Sequence, residues 1–385
     1  MVRRLKFRRF MVLLIGNYPA DRQQSMQRFG RMMLAGLTRA GIEAEIIAPS
    51  PLFGRIRFAG AFVAKWLGYI DKFVFFPGRL KRRVARGVDL VHICDHSNAL
   101  YTRWITACPV VVTCHDLLAV RGALHEVPDT PASLTGKYLQ RWILSGLAKT
   151  DAVACISNAT LLDAQGLVRQ KNDRPRFLLI HPGLNYPYRK QPRELANRAL
   201  DRIPGLTSDA LFVLHVGSNS RVKNREGVLR VFALTKDEWK GQLVFAGAKL
   251  TPELRSLGEE LGIRERIVEI ANPDNQLLEA LYSSALALLY PSRYEGFGWP
   301  IIEAQACGCP VICADREPMS EVGGEAALKA DLTDEPAMAR ALLRLNNPVE
   351  RAQWSEKSLR NAERFQAEKM ISEYIALYRA LGAEA

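Results

Sequence analysis

Short runs rich in Val, Leu, Ile and Ala recur along this chain, and stretches with apolar residues at helical spacing separate them. That alternation points to an α/β fold, in which parallel strands form a sheet and helices cover both of its faces. "FMVLLIG" (10–16) is followed by Met26, Phe29, Met33 and Leu37 at helical spacing, Gly41 ends that helix, and "EAEIIA" (43–48) resumes the strand rhythm. "DLVHIC" (89–94), "PVVVTC" (109–114) and "DAVACIS" (151–157) continue the series. A second series begins at "LFVLHVG" (211–217), passes through the helix "REGVLRVFALTK" (225–236) to "QLVFAG" (242–247), and includes "ALALLYPS" (285–292) and "PVICAD" (310–315). Between the two lies "HPGLNYPYRKQPREL" (181–195), whose Pro, Gly and charge read as a linker. At 385 residues the chain exceeds one compact core. The expectation is two doubly wound domains meeting at a cleft lined by the carboxyl ends of their strands, where such sheets bind ligands.

Charge narrows the classes of partner. Net charge is +13, and residues 1–83 hold 17 Lys+Arg against 4 Asp+Glu while the rest of the chain holds 36 of each sign. The whole surplus therefore sits in the first fifth of the protein, which predicts an anionic partner for one face. In "RIRFAGAFVAKWLGYIDKFVFFPGRLKRR" (55–83), basic residues interleave with Phe58, Phe62, Trp66, Ile70 and Phe73. On one helix those five would share a face, giving either a membrane-surface helix or a core helix of the first domain. Lys65, Asp71 and Lys72 interrupt it, which argues against a transmembrane span. "MVRRLKFRRFMVLLIG" has no small-residue cleavage site after its short apolar run, so no export is expected, and the location is read as cytoplasmic. Seven scattered cysteines, with no histidine near Cys307 and Cys309 in sequence, read as buried thiols and not as a zinc set.

Chemistry concentrates in "YEGFGWPIIEAQACGCP" (294–310), where Glu295 and Glu303 stand with seven residues between them. "ALALLYPS" delivers the chain to the top of a sheet, "RYEGFG" turns it, Pro300 suits the first helical position, and Gly308 closes a helix of about two turns. The helix start and the Gly296–Phe297–Gly298 turn offer backbone N–H groups to phosphate oxygens, and glycine permits close approach. A carboxylate one turn into the helix repels phosphate but suits ribose hydroxyls, so Glu303 is expected on a ribose. Glu295, in the loop, is then expected on the hydroxyls of a sugar beyond the phosphates. Ribose, diphosphate and sugar in that order make a nucleotide sugar.

"PSRYEGFGWPIIEAQACGCPVI" resembles the E-x7-E signature of the retaining family-4 glycosyltransferases of the GT-B fold. "LYSSALALLYPS" resembles the helix and strand that precede that signature, "HVGSNSRVKN" (215–224) the diphosphate loop, and "NAERFQAEKMISEYIALYRALG" the last helices. The resemblance implies an acceptor-binding Rossmann-like domain over 1–188, a nucleotide-sugar domain over 189–364, and a helix over 365–385 returning to the first domain. It implies Glu295, His115 and Lys223 as catalytic residues, with Lys223 neutralising the leaving diphosphate, as the physics of a departing anion requires. Glu303, Arg221, Gly217, Ser218, Gly296, Phe297 and Gly298 are implied in donor binding. Ser218 stands where the family often has Arg, and Arg221 is the candidate for the second positive charge.

His115 ends a strand of the first half in "VVVTCHDLLAV"; read alone it would be structural, and the resemblance gives it a place near the reacting sugar carbon. Asp116, Ser157 and Asn158 read as caps of turns or helices. No carboxylate of the first half stands out as a covalent nucleophile, so the resemblance favours same-face substitution with retention. No D-x-D sequence occurs, and neither a metal nor a cofactor is expected; the nucleotide-diphosphate sugar is a co-substrate. The expected partners are that donor, with a lean to GDP-mannose, and a saccharide or lipid-linked acceptor of surface polysaccharide synthesis. An anionic membrane surface touching 55–83 completes them. Two other readings stay open: a nucleotide-sugar epimerase of the same fold, and, more remotely, a nucleic-acid-binding protein, against which stands the lack of any recognisable DNA or RNA module.

Overall fold

The computed structural model describes residues 10–21, 23–53, 61–127, 132–171, 173–206 and 211–382. They form two compact units, one from the described part of Met1–Asn185 together with the helix Ala367–Ala380, the other from Tyr186–Gln366. The linker reading of 181–195 brackets this boundary.

The first unit holds six strands: β1 (Met11–Ile15), β2 (Glu43–Ile47), β3 (Leu90–Ile93), β4 (Val110–Cys114), β5 (Ala152–Cys155) and β6 (Arg176–Leu179). They pair in parallel in the order β2-β1-β3-β4-β5-β6. β3, β4 and β5 are buried along their whole length, which is why their sequences are almost unbroken apolar runs. Both faces of the sheet carry a core. One is built on Leu13, Val91, Val112 and Val153, and the other on Val12, Leu14, Val111 and Ala154. The second face is covered by Gln24–Arg39, through Phe29, Met33 and Leu37, and by Ala367–Ala380, through Met370, Ile371, Tyr374, Leu377 and Tyr378. Burying the five side chains of the terminal helix contributes at most roughly 15 kcal/mol. A polar chain stitches the terminal helix to the sheet: His92 Nδ1 lies 2.7 Å from the Tyr378 hydroxyl, His92 Nε2 2.8 Å from Thr113 Oγ1, and Thr113 Oγ1 2.6 Å from the Tyr374 hydroxyl.

The second unit repeats the plan with β7 (Phe212–Gly217), β8 (Gln242–Gly247), β9 (Ile267–Ala271), β10 (Ala287–Tyr290), β11 (Val311–Ala314) and β12 (Ala327–Ala330), in the order β12-β11-β10-β7-β8-β9. All its pairings are parallel. In each sheet the chain fills one side, then crosses back to fill the other. The reversal falls between β1 and β3 in the first unit and between β10 and β7 in the second. Such switch points leave a crevice at the carboxyl ends of the two strands.

The segment 55–83 departs from a single amphipathic helix. Ala61–Ile70 is helical, Asp71–Phe75 widens into a π-turn, and Phe76–Val84 is a second helix. A π-turn inserts an extra residue, so the helical phase slips there. Trp66 and Ile70, before the slip, are exposed, while Phe73, within it, packs on the core, so the expected common face does not form. Phe58 lies outside the described residues, as does the side chain of Phe62. No helix among the described residues is long and apolar enough to cross a membrane.

Candidate active site

The loop after β10 and the loop after β7 leave neighbouring strands at the switch point of the second sheet, and hydrogen bonds lace them together. The Arg293 amide donates to the Val222 carbonyl at 2.7 Å, and Asn224 Nδ2 donates to the Pro291 carbonyl at 3.1 Å. Asn224 adopts a left-handed conformation (φ 51°) between the turn Arg221–Lys223 and the helix Arg225–Ala233, which aims the turn at the other loop. Lys223 Nζ therefore meets Glu295 Oε1 at 2.6 Å and the Tyr290 hydroxyl at 2.7 Å, and that hydroxyl donates to Glu295 Oε1 at 2.7 Å. Gly217 matters to this geometry: a Cβ there would sit 3.3 Å from Lys223 Cγ, crowding the side chain on its way to Tyr290.

Glu303 is 93% buried on the helix Trp299–Ala306 and accepts a hydrogen bond from the Tyr282 hydroxyl at 2.9 Å. Burial, Glu295 and then Glu303 raise the Tyr290 phenol well above its ordinary range. Burial, Glu303 and Tyr188 do the same to Tyr282. Both phenols thus stay protonated and serve the acids as donors, and Tyr290 senses both glutamates. The helix begins at Trp299, so Pro300 takes its second position and not its first. Gly298 caps it with φ 102°, a conformation that side chains resist. Phe297 is buried between Trp299 and Phe365, fixing the turn that carries Gly296.

Two expected donor residues lie apart from this cluster. Arg221 is exposed on the same turn as Lys223, and Ser218 is exposed, its Oγ accepting the Ser220 amide at 3.3 Å. The buried cation of the region is Arg225, which pattern reading counted only as a helix start. Its guanidinium donates to the carbonyls of Gly217 (2.6 Å) and Ala248 (2.8 Å), holding the ends of β7 and β8 in place. Burial lowers its pKa to about 10. Tyr282 and Tyr290 were likewise missed, because a tyrosine inside an apolar run reads as core.

His115 belongs to the first unit, directly after β4 and 96% buried. Its Nε2 donates to the Cys94 carbonyl at 2.9 Å, since a carbonyl can only accept, and this leaves Nδ1 as a bare acceptor. Burial lowers its pKa while Asp95 pulls the other way. It lines a cavity of about 810 Å³ with Asn17, which follows β1, and Asp95 and His96, which follow β3. These residues occupy the switch point of the first sheet. Asp95 is bonded by Asn17 Nδ2 and by the amide and hydroxyl of Ser97 (3.0 and 2.8 Å). Burial alone would raise its pKa, but His96, His115, Ser97 and Asn17 together hold it below the usual carboxylate range. Its signal in the sequence was its place directly after a strand. Asp116 Oδ1 accepts the Leu118 amide at 3.0 Å, and Ser157 Oγ accepts the Thr160 amide at 3.2 Å, so both are caps as expected; Asn158 opens the helix Asn158–Leu167 that Ser157 caps.

Two parallel doubly wound units of this order are the plan of the GT-B class of glycosyltransferase fold, and the acid–lysine cluster lies at the switch point of the second. HepE of Anabaena, solved in complex with UDP and glucose, matches 96% of this chain and all of its own at a TM-score of 0.71 and 14% identity. Residues 26–185 match the model of glycosyltransferase family 4, and residues 197–360 that of glycosyl transferases group 1. The chain belongs to the group 1, family-4 glycosyltransferases. It is 33% identical over 239 residues (57% of this chain) to the O-antigen chain mannosyltransferase B of Escherichia coli. It is 33% identical over 220 residues (55% of this chain) to a D-inositol 3-phosphate glycosyltransferase of Mycolicibacterium gilvum. The matches span 62% and 46% of the lengths of those two relatives.

Proposed function

We propose that the chain transfers a hexosyl group, mannose first among candidates, from a nucleoside-diphosphate sugar to a saccharide or lipid-linked acceptor. The transfer proceeds with retention and without a metal. The observation that carries this reading is the cluster of Lys223, Glu295 and Tyr290, with Glu303 beside it, at the carboxyl end of β7 and β10. Glu303 takes the ribose hydroxyls and Glu295 those of the donor sugar. Lys223 and the helix start at Gly298 meet the diphosphate, whose negative charge grows as the sugar departs. Same-face substitution hands the acceptor proton to the leaving phosphate oxygen. Among the relatives, the name of the O-antigen chain mannosyltransferase supports polysaccharide chemistry and mannose, whereas the D-inositol 3-phosphate glycosyltransferases support a smaller acceptor; GDP-mannose is the first donor to try, with UDP-sugars next.

The test is a thermal-shift screen of GDP, UDP, ADP and their sugars in excess EDTA, followed by product analysis with and without saccharide acceptors. One nucleotide family is expected to stabilise the protein, by about 2.7 kcal/mol at a hundred times its Kd. Transfer is expected to persist in EDTA. Loss of transfer with EDTA refutes the metal-free reading, and an isomerised donor formed without acceptor makes the chain an epimerase.

The site of action is the inner face of a membrane. Supporting this are exposed apolar side chains on the first unit (Leu52, Trp66, Val74 and Phe75) and a groove that Leu52 and Phe75 share with four arginines, Arg79, Arg82, Arg83 and Arg86, against two carboxylates, Asp71 and the Arg83-paired Glu45. Basic residues near an anionic surface contribute about 1 kcal/mol each. Reversing Arg79, Arg82 and Arg86 to glutamate should abolish flotation with phosphatidylglycerol vesicles at low salt while nucleotide binding survives. Unchanged flotation refutes membrane association through this face.

A further inference from the structure

The cavity of the first unit has a lining whose charge bears on acceptor type, a question that rests on the transfer reading proposed for the chain. Its described lining residues include Asp21, Asp95 and Asp116 against one cation, Lys72. That cation is already engaged: Lys72 Nζ lies 2.6 Å from Asp21 Oδ2 and over the rings of Tyr18 and Tyr69 at 5.2 and 5.5 Å. The formal charge of the described lining, with histidines neutral, is therefore negative, and Asp95 is held in its charged form. A phosphomonoester brings a further charge of about −1.5 to −2. It would meet carboxylates with no uncommitted Lys or Arg among those residues.

The same walls suit hydroxyl groups. Asp95 offers a fixed carboxylate braced by Asn17 and Ser97, and His115 Nδ1 is a buried acceptor with no partner among the described residues. Gln140 Oε1 is likewise buried and unpartnered at the cavity wall. Phe73 and Tyr101 supply apolar faces of the kind a sugar ring packs against. A buried acceptor without a partner is costly, and a ligand hydroxyl donating to it removes that cost.

We propose that this cavity receives an uncharged saccharide through its hydroxyls and rejects acceptors that bear a phosphomonoester. The chain then parts from its inositol-phosphate relatives in acceptor while sharing their family. The reaction that supplies its substrate must leave an unphosphorylated sugar hydroxyl, as an earlier glycosyl transfer does.

Two pairs of probes test this on the full chain by saturation-transfer NMR and calorimetry: methyl α-mannoside against its 6-phosphate, and myo-inositol against D-myo-inositol 3-phosphate. In each pair the uncharged member should bind at least tenfold more tightly. Asp95→Asn and Gln140→Ala should each weaken the mannoside at least fivefold, with the urea midpoint of the first unit retained as the control for folding. A phosphorylated probe that binds as well as its uncharged partner overturns the proposal. So does saturation by neither mannoside nor inositol at 100 mM, or mannoside binding that neither variant weakens. Nucleotide binding in the same samples separates the two levels: if no nucleotide binds but the mannoside does, the proposed donor use fails, while the cavity's preference for an uncharged saccharide stands apart from its role as acceptor site.

Discussion

Replacing Glu295 with alanine should lower kcat/KM for the preferred nucleotide sugar about a thousandfold, close to 4 kcal/mol of transition-state stabilisation. Affinity for the bare nucleoside diphosphate should hold or rise. The split follows from the resting geometry. Glu295 and Lys223 face each other at 2.6 Å, with side chains 12% and 18% exposed, and Tyr290 bonds both. Removing the acid takes away the group assigned to the sugar hydroxyls and leaves the lysine unopposed in a partly dry site, where a diphosphate becomes its best counter-ion. Lys223→Ala should do the reverse for the diphosphate, weakening it tenfold or more. Asp116→Ala is the comparison, since its carboxylate caps the Leu118 turn in the first unit and bonds neither Lys223 nor Tyr290, and it should cost far less than either. Turnover and calorimetry on the three variants check this. Equal losses for Glu295→Ala and Asp116→Ala, or a diphosphate that falls away with Glu295, would remove the acid from its assigned place.

How much of the fold and site was legible in the sequence depended on burial. The central strands announced themselves because a parallel sheet covered on both faces tolerates only apolar side chains, as in "PVVVTC" and "ALALLYPS". The three strands that pattern reading did not register, β6, β9 and β12, are all sheet edges. Arg176, Glu269 and Lys329 interrupt them because an edge is only partly covered. The pair Glu295 and Glu303 was legible through its glycine and proline setting. Its supporting tyrosines were not, since nothing in "LYSSALALLY" separates a phenol that bonds a carboxylate from one that fills a core. The π-turn at Asp71–Phe75 left no trace either: one extra residue in a turn shifts every later side chain by about 100°, and periodicity cannot register a shift it must assume absent. Asp95 was readable only from its place after a strand, because its partners Asn17 and His115 arrive from two other strands.

Acidification should destabilise both units well before their carboxylates titrate. His92 and His215 each have a pKa lowered to about 3, for His92 by burial and then His115, for His215 by burial against the pull of the Leu289 carbonyl. In the unfolded chain both return to about 6.5. Below that value the unfolded state binds a proton that the native state refuses, so stability is complete above about pH 6.5 and declines as pH falls towards about 3. Each histidine costs about 1.4 kcal/mol per pH unit in that window, or roughly 2 kcal/mol at pH 5. His115, lowered by burial as well, acts in the same direction. The urea midpoint of each unit should fall between pH 7.5 and pH 5. His92→Gln should flatten the decline in the first unit only, at the expense of the bonds to Tyr378 and Thr113 that hold the terminal helix to the sheet. Coincident midpoints at the two pH values would mean that the imidazoles accept protons in the folded protein. The full burial of His92 against Tyr378 and Thr113 would then not hold, and with it the anchoring of Ala367–Ala380.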